Sequence, residues 1–176
     1  MKRSTVFVIV LLLLAIPSYT KEKQDYDQLR WTIIVEGATY KVSEVNDWGW
    51  GLGLKIMYGL SPTFGIHVGA VGIPTTKGGY SFRGLALDGG IWFRLPSLKH
   101  WLTFEAGLNH IFGDDSDGSL WKAFGAHIGA HATLWLGKHI GLCGRAVFRY
   151  WFKKEDSFRS TNATSPSLSA GLAFRF

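Results

Sequence analysis

Cysteine is nearly absent from this chain. Cys143 is the only one in 176 residues, which excludes an intrachain disulfide and a metal site built from several thiolates. Charge is sparse as well: 18% of the residues are Asp, Glu, Lys or Arg. The basic ones form no stripe, which argues against nucleic acid as a partner. Long apolar runs are also missing. The longest, Val6 to Ile16, is about 11 residues, where a membrane-spanning helix needs about 20. No segment repeats its apolar residues with a period of 3.6, so no amphipathic helix is expected.

The short apolar run has a different meaning. It follows Lys2 and Arg3 and leads into the small or polar residues Ser18 and Thr20. A basic start, a short apolar core and a small-residue stretch together describe a secretory signal peptide. Residues 1–20 are therefore expected to be an export signal, although no Ala-x-Ala marks the cleavage point. Removing them takes the formal charge from +6 to +4 and leaves 156 residues, enough for one domain, 21–176. An exported chain with this much apolar content and no spanning helix is either a soluble β protein or a membrane barrel.

Glycine (22 residues) and aromatics (15%) are abundant, and they fall into a pattern of period two. Eight alternating segments follow: Leu29 to Thr39, Trp48 to Tyr58, Thr63 to Ile73, Tyr80 to Leu95, His100 to Phe112, Leu120 to Leu136, His139 to Phe152, and Leu168 to Phe176. In the second, Trp48, Trp50, Leu52, Leu54, Ile56 and Tyr58 alternate with Gly49, Gly51, Gly53, Lys55 and Met57. The second face of these segments is rich in glycine, which weakens an ordinary strand but suits the inside of a narrow barrel. Eight strands enclose a space just wide enough to be filled by side chains, so each inward glycine makes room for a long neighbour. The glycines of GWGLGLKIMYG superficially suggest a phosphate-binding turn, but no helix follows them.

The connections are expected to alternate in length. Those near 59–62, 96–99 and 137–138 are short, and those near 40–47, 74–79, 113–119 and 153–166 are longer and more polar. Short periplasmic turns and longer extracellular loops are the plan of a transmembrane barrel. Trp48, Trp50 and Tyr150 fall near one rim of the apolar face and Tyr58, Phe93 and Phe176 near the other, as interfacial girdles. The fold expected is an all-β, eight-stranded antiparallel up-and-down transmembrane β-barrel.

Export signal, strand count, loop alternation and the last strand together resemble the small bacterial outer-membrane barrel family, the OmpA transmembrane domain and OmpX among its members. Leu168, Ala170, Leu172, Phe174 and Phe176 alternate to the final residue of the sequence, which is similar to the family's assembly signal. The resemblance implies an outer-membrane location and partners that include membrane lipids, lipopolysaccharide and, through Phe176, the barrel-assembly machinery. From the patterning, a structural or surface-interaction role without a cofactor is expected, and the oligomeric state is left open. Such families also include narrow pores and lipid A-modifying enzymes, so fold does not settle function.

Candidate functional residues lie on the inward face. Glu36, Lys55, Asp88, Glu105, Arg145 and Arg149 are placed in its middle, with Arg94 lower and His67, His127 and His131 beside them. Charges in so confined a space have to be paired or hydrated. They are expected to form a network that fills a largely plugged lumen, or, by analogy with OmpA, a gate whose acids and bases exchange partners. No metal site is expected. His127 and His131 face the same way but lie about 13 Å apart along a strand, so either would need a histidine from elsewhere. The acidic stretch Asp114, Asp115, Asp117, Gly118 lacks the spacing of a calcium loop. No catalysis is expected either. The outward histidines are His100, His110 and His139, and Phe112 stands where a His-x-Ser motif after His110 would need serine. Lys153, Lys154 and Arg159 offer cations to lipopolysaccharide phosphates.

Overall fold

The computed structural model describes residues 31–42, 47–77, 80–95, 101–115, 120–152 and 164–176. The expected export signal, His100, Asp117, Gly118, Lys153, Lys154 and Arg159 lie outside the described residues, as do the side chains of Trp48, Asp114 and Asp115. The described residues form eight strands: β1 (Trp31–Val42), β2 (Asp47–Ser61), β3 (Phe64–Lys77), β4 (Tyr80–Phe93), β5 (Leu102–Asp115), β6 (Leu120–Trp135), β7 (Ile140–Trp151) and β8 (Thr164–Arg175). Each pairs antiparallel with the next, and β8 returns to β1, so the sheet closes into a barrel in sequence order.

Closure is tight. Pairing runs from Thr32 with Arg175 to Tyr40 with Ser167. Beyond it, the Trp31 N–H donates to the Phe176 carbonyl at 3.1 Å, and the Phe176 N–H donates back to the Trp31 carbonyl at 2.9 Å. The expected all-β up-and-down architecture is therefore the observed one, and the alternating faces are as expected. Ile128, Leu108, Val68 and Leu168 point outward and are more than half exposed; Lys55, Glu105, Asn109 and Arg149 point inward and are buried.

The outer surface has the layout of a bilayer-facing one. Among the described residues no charged side chain points outward across its middle; Arg83 and Lys122 are exposed near the rim away from the paired Trp31 and Phe176. Aromatic rings gather at both ends. Trp31 and Tyr58 pack at 4.6 Å and Phe93 stacks on Phe104 at 5.3 Å near one end. Phe152 contacts both Phe124 and Tyr150 near the other, where Trp50 is also exposed.

Loop lengths differ from the expectation. The strands continue past their apolar stretches, so that β3 and β4 remain paired as far as Lys77 and Tyr80, and β4 and β5 as far as Phe82 and Asp115. The connection between β4 and β5 instead spans 94–101. Backbone pairing does not require apolar side chains, whereas alternation of hydrophobicity marks only the part of a strand that must face lipid.

Inward glycines stand beside large lumen groups. A Cβ on Gly53 would lie 3.1 Å from the Glu36 side chain, one on Gly129 3.2 Å from Glu105, and one on Gly65 would strike the Trp92 ring. Gly90 and Gly107 pair across β4 and β5, and a Cβ on either would run into the opposite strand's backbone. Outward-facing Gly144 has nothing within 4 Å of where its Cβ would be. We therefore expect Gly90→Ala to cost about 1–3 kcal/mol, while Gly144→Ala stays within about 0.5 kcal/mol of the parent. Urea unfolding of the chain in detergent micelles measures both.

Candidate functional site: the charged lumen

The lumen network is organised around one side chain. Arg145, on β7, sends its guanidinium to carboxylates from three other strands. Nη1 donates to Glu36 Oε1 at 2.8 Å, Nη2 to Asp88 Oδ2 at 3.0 Å and to Glu105 Oε1 at 2.6 Å, and Nε to Glu105 Oε1 at 2.9 Å. A planar guanidinium with five donors in a fixed fork serves three acids at once, which an ammonium group does less well.

Two of the remaining carboxylate oxygens are also held. Lys55 on β2 pairs with Glu105 Oε2, and Ser169 donates to Glu36 Oε2 at 2.6 Å. Arg149 lies 3.5 Å from Asp88 Oδ2 and donates to Ser167 at 2.6 Å. Three carboxylates (Glu36, Asp88, Glu105) thus face three cations (Lys55, Arg145, Arg149), and all six are at most 8% exposed. Buried charges at this density are tolerable because each is paired and hydrogen-bonded.

Of the residues expected in the network, these six come together. Arg94 does not join them: its Nε donates to Thr103 at 3.0 Å and its guanidinium lies 4.8 Å over the Trp92 ring. His131 Nδ1 lies 3.8 Å from Glu105 Oε2. His67 and His127, sixty residues apart, meet across the lumen with 3.3 Å between their Nε2 atoms. Of the outward histidines, the two described ones are otherwise engaged, His110 against Phe112 and Phe124, and His139 through Nδ1 with the Arg175 carbonyl at 2.8 Å.

Ser167 and Ser169 were not singled out from the sequence. Their signal was available: both sit on the inward parity of the last strand, where a small hydroxyl is the natural partner for a neighbour's charge. An apolar cluster was also missed. Ile34, Met57, Trp92, Cys143 and Ala173 are buried together inside the barrel, with Trp135 packed against them. Trp135 also carries the Arg175 guanidinium 4.0 Å from its ring centre, a favourable cation–π contact.

No protein-family model matches the sequence, and no curated protein does. Solved structures match by shape. Neisserial surface protein A (NspA) superposes with a TM-score of 0.60 at 15% identity, covering 84% of this chain and 97% of that one. The N-terminal β-barrel domain of Pseudomonas aeruginosa OprF gives 0.60 at 14%, covering 85% and 100%. The Yersinia pestis attachment invasion locus protein Ail gives 0.54 at 14%, covering 84% and 97%, and has also been solved with the heparin analogue sucrose octasulfate. The fold is that of the small outer-membrane β-barrels. At these identities the likeness concerns the fold, and it agrees with the outer-membrane location and the OmpA- and OmpX-like plan expected from the sequence.

Because Arg145 neutralises three acids, removing it leaves buried carboxylates in excess. Arg145→Met is expected to cost about 3–5 kcal/mol, and Glu36→Gln in the same chain to restore part of the loss. A double-mutant cycle by urea unfolding reads the coupling; additive effects would contradict this arrangement.

Proposed function

We propose that the protein is an integral barrel of the bacterial outer membrane with a structural or surface-interaction role, and that its polar lumen is largely plugged. The observation that carries this reading is the Arg145 cluster: one guanidinium tied to three carboxylates from different strands, next to the apolar group around Trp92 and Met57. Both groups are buried inside the barrel, which supports a filled lumen. The uncharged outer belt supports contact with lipids and lipopolysaccharide, and exposed Phe176 on that surface suits recognition by the assembly machinery. We read no catalytic role. The sulfated ligand held by Ail makes a polyanion the natural partner to test at the barrel's loops.

A narrow gated pore is the second reading, and one observation favours it. Lys55 and Arg145 both hold Glu105, so a partner exchange could open a path. Planar-bilayer recordings at about pH 5 and about pH 8, spanning histidine titration, separate the two. A silent parent barrel is expected from the plug. Discrete openings in the parent that change on Glu105→Gln would favour the gate instead.

The membrane reading has its own test. Ile128 is 64% exposed in mid-strand, so Ile128→Arg should cost about 2–4 kcal/mol when the barrel folds into lipid bilayers. An unchanged folding energy would mean that this belt does not meet hydrocarbon.

A further inference from the structure

His67 on β3, His127 on β6 and Glu105 on β5 converge inside the barrel, with their ligating atoms all within 4.8 Å of one another. All three residues are at most 3% exposed. The two Nε2 atoms face each other at 3.3 Å. Two nitrogens bound to one tetrahedral zinc ion at 2.0–2.1 Å lie about 3.3–3.4 Å apart. The pair is therefore spaced as two ligands of one ion would be. Neither Nδ1 atom has a protein partner among the described residues, so each is free to carry the ring proton when Nε2 ligates and to donate it to lumen water.

We propose that His67, His127 and Glu105 form a binding site for a divalent first-row transition-metal ion, with Lys55 as a built-in competitor. Two imidazoles and one carboxylate are a borderline donor set suited to zinc, cobalt or nickel rather than to calcium or magnesium, and they leave a fourth position for water. Glu105 reaches the ion by a short swing of its side chain away from Lys55, while Oε1 keeps its bonds to Arg145. Asp88, whose Oδ1 has no hydrogen-bond partner among the described residues, adds a second negative charge to the surroundings. Because the site is closed off by the barrel, the ion enters during folding or along the lumen. Its role is to cross-link β3, β5 and β6 from inside; the reading of the barrel as structural does not depend on it.

The untagged chain is folded into detergent micelles with Co2+, whose visible absorption reports tetrahedral nitrogen–oxygen ligation, and bound metal is counted after dialysis. One Co2+ per chain is expected, displaced by Zn2+. His67→Gln and His127→Gln, which keep most of the ring's volume, should each abolish the absorption while circular dichroism still reports the barrel. Lys55→Met should tighten binding by about tenfold or more, since it removes a unit charge within a few ångströms of a dication. The proposal is overturned if the folded parent retains no Co2+, or if the His67→Gln, His127→Gln double variant retains as much. Should either histidine variant fail to fold, the Lys55→Met comparison decides: unchanged or weaker binding overturns the site.

Discussion

Every other feature of this molecule depends on the closure of β1 onto β8. In hydrocarbon an unpaired backbone N–H or C=O costs several kcal/mol, and an open sheet presents a row of them at each edge. The pairing from Thr32–Arg175 to Tyr40–Ser167 removes both edges. Once the sheet is closed, the pleat sends alternate side chains to two different environments. One is lipid, the other a narrow interior. The outward run of Leu, Ile, Val and Phe and the inward run of Gly and charge are the two consequences of that single event.

Closure at eight strands also sets the chemistry of the interior. The space is too narrow for two large side chains at one level, so the acids stand beside glycines: Glu36 beside Gly53, Asp88 beside Gly69, Glu105 beside Gly129. Buried as they are, the charges must satisfy one another. That is why an arginine occupies the centre. Its fork binds Glu36, Asp88 and Glu105 together, and a balance of three acids and three bases follows. The buried charges pair with one another across the interior, and the apolar cluster around Trp92 is buried there as well.

The alternation in Trp48 to Tyr58 or in Phe64 to Val71 told which residues face inward, and nine of the ten expected lumen residues are buried inside the barrel. Strand ends were less legible. The ladder between β3 and β4 runs on through Thr75, Thr76 and Lys77, where the sequence carries no apolar period. Arg94 shows the same limit within the site. Its inward parity and lower position were readable, but not that, just past the end of β4, it would meet Thr103 and Trp92. Ser167 and Ser169 were hidden for another reason: a serine's use depends wholly on what stands opposite.

The sequence by itself determined which face of each strand each residue occupies, because the pleat is local and repeats every two residues. It likewise determined that the outside would be apolar and the inside charged. Only the tertiary structure decided which inward residues meet. Arg145 reaches Glu36 across 109 positions of chain and His67 reaches His127 across sixty. Those meetings are set by strand register and by the stagger that closes the barrel, neither of which is written in any single strand.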